Sequence, residues 1–184
     1  MKKLLPLGMV LAVSSILSLM TVAHVSAQSA KKEGSAKKEK EQSFAQEFWK
    51  WLDKVEYKES FSPWPGMKDE FLPGKSPHGA FLKVYVNRPV VQNPDDPPHK
   101  SVIVKENYIE DEQTKEKKLV AITPMYRVKK GYDPENNDWY WVKYLPDGKV
   151  AKTDDGMPIA GKVKSCIECH ASAAGDDYIF TNDE

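Results

Sequence analysis

Apolar and polar positions are arranged differently in three successive parts of the 184-residue chain. Residues 1–27 carry a long apolar run, residues 28–42 carry no large apolar side chain, and residues 43–184 carry short apolar patterns of helical and strand period. A segment without large apolar side chains cannot bury enough surface to offset its ordering entropy. The pattern therefore predicts one folded domain over residues 43–184, preceded by a flexible Lys/Glu-rich tether over residues 28–42.

The first part of the chain has the arrangement of a secretory signal peptide. Two lysines precede an apolar run over residues 4–23, and the small residues 25–27 provide a cleavage site. The rival interpretation is an uncleaved membrane anchor, since the run approaches the ~20 residues that a spanning helix needs. Serines within the run and the position of the cleavage site favour removal. We therefore expect a signal peptide over residues 1–27 and a periplasmic mature protein.

The domain is predicted to begin with a helix. Ser43 and Gln46 form a capping-box pattern, which favours a helix start at that point. The apolar residues that follow recur at spacings of three and four, which gives the helix one apolar face. The residues of this face are Phe44, Phe48, Trp51, Leu52 and Val55.

After a segment rich in proline and glycine, the apolar pattern changes to that of β-strands. Short runs rich in Val, Ile, Tyr and Trp are separated by polar or proline-containing turns, which indicates four or five antiparallel strands. The runs are residues 80–86, 102–104, 119–128 and 139–145. With the N-terminal helix and a final helix that starts near Gly161, they predict an α+β domain built on a mainly antiparallel β-sheet.

Cysteine occurs at only two positions, Cys166 and Cys169, and His170 follows directly. Two thiols at this spacing can both form thioethers with one haem, while the adjacent imidazole binds the iron. A thioredoxin-type dithiol would need a βαβ framework, and only fourteen residues follow the motif. A zinc site would have to recruit His78 or His99, and a disulfide across so short a loop is awkward. The motif therefore predicts one covalently attached haem c, with His170 as the proximal iron ligand.

Charge excludes one class of partner. Without the two lysines of the signal peptide, 25 basic side chains stand against 27 acidic ones, and no basic stripe runs along the chain. A nucleic-acid-binding surface needs clustered lysines or arginines. We therefore expect no nucleic-acid partner.

Short motifs accompany the haem motif along the whole domain. They are Pro77-His78-Gly79, Val84-Tyr85-Val86-Asn87, Val102-Ile103-Val104-Lys105-Glu106-Asn107, Trp139-Tyr140-Trp141 and Asp177-Tyr178-Ile179-Phe180-Thr181. With these motifs the chain resembles the cytochrome P-460 family from about Trp49 to Thr181. The most specific parts of the resemblance are the late position of the haem motif and the lysine-containing segment at residues 102–107.

The resemblance implies a periplasmic, β-rich cytochrome with one haem c, commonly a homodimer, whose iron is open on its distal face. Enzymatic members oxidise hydroxylamine to nitrogen oxides and pass the electrons to an external acceptor, such as a redox partner cytochrome. In these members a lysine is covalently linked to the haem edge, and Lys105 occupies the matching position. Related cytochromes c-prime-beta bind nitric oxide or carbon monoxide without this cross-link. The resemblance thus implies Lys105 as a catalytic, haem-linked residue and hydroxylamine or nitric oxide as the small-molecule partner.

The residues alone give Lys105 a simpler interpretation. On a strand it shares a face with Ile103, so its side chain is either exposed or enters a pocket. An exposed lysine paired with Glu106 or another neighbour is the ordinary expectation for this residue type. The cross-link therefore rests on the resemblance.

The resemblance also implies a carboxylate that accepts protons beside the iron, and no position of the chain matches it clearly. Glu106 and Asp138 are the nearest acidic candidates, although an exposed carboxylate is the ordinary alternative for both. The aromatic residues 139–141 are candidates for the pocket wall, although aromatic residues on strands commonly belong to a core.

Three side chains are chemically able to fill the sixth iron position, namely His78, His99 and Met125. Any of them would block a substrate and would indicate an electron-transfer cytochrome, whereas an open position without a lysine bond would indicate a gas-binding protein. Each also has an ordinary alternative: a turn for His78, a polar loop for His99 and core packing for Met125.

Overall fold

The computed structural model describes residues 14–182, and the chain divides into two compact units between Lys40 and Glu41. In the first unit, the described residues belong to the helix α1, Ser14–Lys54, and the side chains of residues 32–40 are exposed. Over residues 14–182, no helix combines the length and the apolar character that crossing a membrane requires. The first thirteen residues of the predicted signal peptide lie outside the described part, and its cleavage stays a prediction.

The first helix begins earlier than its capping-box pattern predicts. Because α1 spans Ser14–Lys54, Ser43 lies inside the helix, and residues 28–42 are helical as well. The Ala, Lys, Glu and Gln residues of this segment all have high helix propensity, which accounts for a helix through residues 32–40, whose side chains are exposed. A helix start at Ser43 is therefore wrong, and the tether role of residues 28–42 stays a prediction.

The second unit is built on an antiparallel sheet, as the strand patterns predict. Within the described residues the strands are β1 Ser62–Pro63, β2 Leu72–Pro73, β3 Phe81–Val86, β4 Val102–Glu110, β5 Lys117–Arg127, β6 Trp139–Val142 and β7 Ala160–Gly161. The strand order in the sheet is β1-β3-β4-β5-β6-β7, and β2 also pairs with β3. The short helices are α2 Tyr57–Ser60, α3 Arg88–Gln92 and α4 Lys164–His170.

The predicted fold class is confirmed, with more strands than expected. The described part of the sheet has seven strands where four or five were predicted. The additional strands, β1, β2 and β7, are each two residues long. A run of two residues is too short to show an alternating apolar pattern, so it leaves no sequence signal.

Alternation along the central strands creates two apolar faces. On the first face, side chains such as Tyr85, Val104 and Tyr140 form a buried cluster with Phe48 and Leu52 of α1. The apolar face predicted for the N-terminal helix is therefore used to cover this side of the sheet. The Tyr140 and Tyr144 hydroxyls donate hydrogen bonds to the α1 carbonyls of Glu41, at 2.9 Å, and Ala45, at 2.6 Å.

The second face of the sheet forms a separate buried cluster. Val84, Ile103, Met125 and Trp141 contribute to it from four strands, and Ile179 contributes from the C-terminal segment. Cys166 and Ile167 of α4 pack against the same cluster. The fold therefore brings the end of the chain, which carries the haem motif, against the face of the sheet opposite to α1.

Candidate cofactor site

A cavity of about 230 Å³ lies on the second face of the sheet. Side chains of β3 to β6 form one part of its wall, and residues from 159 to 181 form another. The apolar members of the wall include Val84, Ile103, Met125, Trp141, Ile159 and Ile179. Cys166, Cys169, His170 and Lys105 also line this cavity, so the predicted site residues border one space.

The helix α4 carries both thiols to the cavity. It is a short helix whose first hydrogen bonds run from the Cys166 and Ile167 amides to the Val163 carbonyl, each at 3.0 Å. Residues three positions apart lie on the same side of a helix, so Cys166 and Cys169 are neighbours on its surface. Both cysteines are free, and burial raises the pKa of the Cys166 thiol.

The His170 imidazole is buried and held in one orientation. Its Nδ1 lies 2.8 Å from the Tyr178 carbonyl oxygen, which can only accept, so Nδ1 carries the hydrogen and Nε2 keeps its lone pair. The Tyr178 hydroxyl in turn donates to Asn136 Oδ1 at 3.1 Å. Burial lowers the pKa of His170 to about 4, so the ring is neutral near pH 7. A neutral imidazole with Nδ1–H bound to a carbonyl is the usual state of a metal-binding histidine.

Lys105 enters the cavity instead of lying exposed. It sits at the middle of β4, where its neighbours across the sheet are Val84 and Thr123. Burial lowers the pKa of the Lys105 amine. Its neighbour Glu106 forms an ion pair with Lys58 on the other face of the sheet. The interpretation of Lys105 as an exposed partner of Glu106 is therefore wrong.

Glu106 is buried, with 1% of its surface exposed, and faces away from the cavity. Its carboxylate accepts hydrogen bonds from the hydroxyls of Tyr57, at 2.6 Å, and Tyr108, and pairs with Lys58 Nζ at 2.6 Å. Burial, followed by the bond to Glu106, raises the pKa of both tyrosines. The prediction that Glu106 is a candidate proton acceptor at this site is therefore wrong.

The Asp138 carboxylate is bound within a loop and does not line the cavity. Its carboxylate accepts hydrogen bonds from the backbone amides of Asp133, at 2.6 Å, and Gly131, at 3.2 Å, and so closes the loop before β6. Among the described residues that line the cavity, none is Asp or Glu. Neither predicted carboxylate therefore borders the cavity in the described part of the chain.

Replacing Glu106 with alanine is expected to lower the free energy of unfolding by about 3 kcal/mol, because two tyrosine hydroxyls lose a charged acceptor. Urea unfolding monitored by circular dichroism measures this change. Glu110→Ala on the same strand is the control and should have a smaller effect, since its carboxylate is more exposed. A stable Glu106→Ala protein with altered cavity ligand binding would contradict this placement.

Trp141 lines the cavity and carries a buried polar atom without a partner. The residue is 3% exposed, its ring centroid lies 4.8 Å from that of His170, and its indole Nε1 has no hydrogen-bond partner in the described structure. A buried N–H without an acceptor costs roughly 1–3 kcal/mol.

The three strand aromatics have different roles. Trp141 lines the cavity, as predicted for the pocket wall, whereas Tyr140 belongs to the cluster beneath α1. Trp139 is buried, and its Nε1 donates to the Asp177 carbonyl at 3.2 Å. Trp139 thereby fixes the C-terminal segment next to Tyr178, whose carbonyl orients His170.

The three candidates for the sixth iron position differ in their location relative to the cavity. The exposed His99 has Nδ1 3.3 Å from the Arg127 carbonyl, and its side chain does not line the cavity. Met125 lines the cavity and is buried in the core cluster. His78 also lines the cavity, and its ring centroid lies 6.0 Å from that of His170. Burial lowers the pKa of His78 to about 3, so this ring is neutral as well.

Three polar residues near the cavity were not predicted from the sequence as site residues. Asn107 and Thr123 form hydrogen bonds beside the cavity, and Lys143 lines it. Alternation could have found two of them, because Asn107 lies two positions after Lys105, and Lys143 two after Trp141, on the same side of their strands.

The residues around the cavity fit a haem c. Two free thiols on one side of a helix can form the thioether bonds, and the neutral His170 has Nε2 available for iron. Apolar walls suit a porphyrin ring.

Comparison with known proteins agrees with this arrangement. No curated protein sequence matches the chain significantly. The sequence model of the cytochrome P460 family matches residues 58–181, which is more than half of the chain and includes the sheet, the cavity and α4. The resemblance inferred from the motifs is confirmed, and the chain belongs to the cytochrome P460 family.

Proposed function

We propose that this protein is an exported monohaem c-type cytochrome that oxidises hydroxylamine to nitrogen oxides and passes the electrons to an external acceptor. Membership in the cytochrome P460 family implies a haem cofactor. The observation that carries the proposal is that Cys166, Cys169, His170 and Lys105 line the same cavity.

Three residues would hold the cofactor. The thiols of Cys166 and Cys169 form the thioether bonds, and His170 binds iron through Nε2 while Tyr178 fixes its orientation. The haem supplies a metal position for the substrate and accepts its electrons, and the protein sets ligation and access.

Lys105 would form the covalent bond to the haem edge. Its side chain lines the cavity that the haem motif borders, and burial lowers its pKa, which increases the fraction of the nucleophilic neutral form. The link would replace one N–H bond of the amine and one C–H bond of the ring edge by a C–N bond, so its formation requires an external two-electron oxidant. A bond at this point would fix the ring relative to β4. The covalent bond between Lys105 and the haem distinguishes the proposed hydroxylamine oxidation from gas binding.

Gas binding without a cross-link is the second candidate function. The described lining of the cavity is mainly apolar and contains no carboxylate, which suits an uncharged diatomic ligand such as nitric oxide. For either function we propose a periplasmic homodimer. In the catalytic case, we further propose a redox partner cytochrome as the electron acceptor.

Purified protein, matured with a haem-attachment system, is expected to oxidise hydroxylamine when an artificial electron acceptor is present. Reduction of the acceptor, followed optically, gives the rate, and the evolved nitrogen oxides identify the product. Mixtures lacking protein or acceptor provide the controls. A protein that binds nitric oxide but never reduces the acceptor would exclude catalysis and support the gas-binding function.

A further inference from the structure

Asp133 is a buried carboxylate that does not line the cavity. It lies in the loop before β6, where its Oδ1 pairs with Lys162 Nζ at 2.8 Å. Its other oxygen, Oδ2, accepts a hydrogen bond from Asn136 Nδ2 at 2.9 Å. Because a carboxylate paired with a lysine can only accept, the nitrogen of the Asn136 amide faces Asp133, and its oxygen is left for another partner.

The Asn136 amide, oriented in this way, holds the side chain of Tyr178. Its Oδ1 accepts a hydrogen bond from the Tyr178 hydroxyl at 3.1 Å, and the Glu135 carbonyl lies 3.3 Å from the same hydroxyl. Tyr178 belongs to the C-terminal segment, 42 positions after Asn136 in the chain. The contact therefore ties the C-terminal segment to the loop before β6.

The backbone of Tyr178 depends on contacts of this kind. Its φ of +67° lies in the left-handed region, which a residue with a bulky side chain rarely adopts. A backbone in this region persists only when the surrounding structure holds it. In this conformation the Tyr178 carbonyl oxygen lies 2.8 Å from His170 Nδ1 and accepts its hydrogen. Contacts that hold Tyr178 therefore also hold the acceptor of the His170 ring.

This hydrogen bond affects a metal on the other ring nitrogen. An acceptor at Nδ1 raises the basicity of Nε2, and so changes the properties of the bound metal. A more basic imidazole donates more charge to iron and stabilises the ferric over the ferrous state, which lowers the reduction potential. Asn136 does not line the cavity, so its effect on the iron passes through Tyr178 and His170.

We propose that Asn136, oriented by Asp133, is a positioning residue: through the Tyr178 hydroxyl it holds the carbonyl that binds His170 Nδ1, and thereby keeps the reduction potential of the iron low. The inference rests on the part of the proposed function that places haem iron on His170. It does not require hydroxylamine oxidation.

The test removes the two partners of the Asn136–Tyr178 bond in the full haem protein. Tyr178→Phe deletes only the hydroxyl, and Asn136→Leu deletes its acceptor, so each should shift the reduction potential to a more positive value in a spectroelectrochemical titration. The iron–histidine stretching band of the ferrous protein should shift to lower frequency in the resonance Raman spectrum. The double variant should shift no further than either single variant, because both residues act through one bond.

Tyr144→Phe is the matched control, because it also deletes a tyrosine hydroxyl that binds a carbonyl, in the cluster beneath α1. It should lower stability without moving the potential or the Raman band. Wild-type values of both quantities in Tyr178→Phe and Asn136→Leu would overturn the inference, even if these proteins unfold more easily. Shifts that add in the double variant would also overturn it.

Failure of the proposed function gives a different result. A ferrous wild-type protein without an iron–histidine band would show that a side chain fills the sixth position, and it would refute the proposed function. The potentials of the same variants would then decide on the inference, since His170 remains a ligand in that case. A wild-type protein without haem would refute both.

Discussion

Replacing both Cys166 and Cys169 with alanine is expected to abolish covalent haem attachment. The chain has no other cysteine, so no alternative thioether can form. The measurement is haem-dependent peroxidase staining after denaturing electrophoresis, together with the intact mass of the mature protein. Wild-type protein should retain its haem under these conditions, and the double variant should carry none.

The matched control for the cysteine variants is Glu168→Ala. Glu168 lies between the two thiols on α4, is exposed, and forms only a 3.4 Å ion pair with Lys164 among the described contacts. Its replacement should leave attachment intact, because its side chain does not line the cavity. A stained band in the double alanine variant, or a wild-type protein without one, would contradict the assignment of the two thiols.

Replacing Lys105 with methionine is expected to change both the spectrum and the activity. The variant keeps a long apolar side chain but cannot bond to the haem edge. The reduced Soret band, which a cross-linked haem shifts far to the red, should move to the position of an ordinary c-type cytochrome. Hydroxylamine oxidation should fall on the order of 100-fold, the size of effect that a small misplacement of reacting groups produces.

Lys143→Met is the matched control for Lys105, because both lysines line the cavity. Mass spectrometry of the haem peptide adds a direct readout: digestion should release a peptide containing Cys166 and Cys169 joined through haem to one containing Lys105. If Lys105→Met retains the wild-type spectrum and rate, Lys105 has no covalent role. If Lys143→Met has the larger effect, the link belongs to the other lysine.

The fold class was predictable because it depends on local patterns. Alternation over β4 and β5 and the spacing of Phe48 and Leu52 reflect burial on one side of each element. The start of α1 was not predictable from its cap. Propensity alone extends a helix through exposed residues, and the capping pattern at Ser43 therefore did not mark its beginning.

The candidate site was predictable only in part. The thiols and His170 are adjacent in sequence, so one local motif identifies them together. Lys105 required the family resemblance, because alternation places it opposite to Glu106 but does not say which face of β4 holds the cavity. The structure resolves this point, since the face that carries Glu106 contacts Tyr57 and Lys58 and the other face borders α4.

His78 shows the limit of local reasoning most clearly. Its sequence neighbours, Pro77 and Gly79, indicate a turn, and a turn residue is commonly exposed. Its ring nevertheless reaches the cavity because it binds Asn107, 29 positions later in the chain. Contacts of this kind depend on how β3 and β4 pair, and no pattern within the turn reports them.

The ferric spin state at neutral pH, measured by electron paramagnetic resonance before and after hydroxylamine addition, shows whether the iron held by His170 has an open position. We expect a high-spin signal from a five-coordinate haem iron, and loss of that signal when hydroxylamine binds. A low-spin signal that hydroxylamine leaves unchanged would show that a side chain of the protein closes the sixth position, and it would refute an accessible iron.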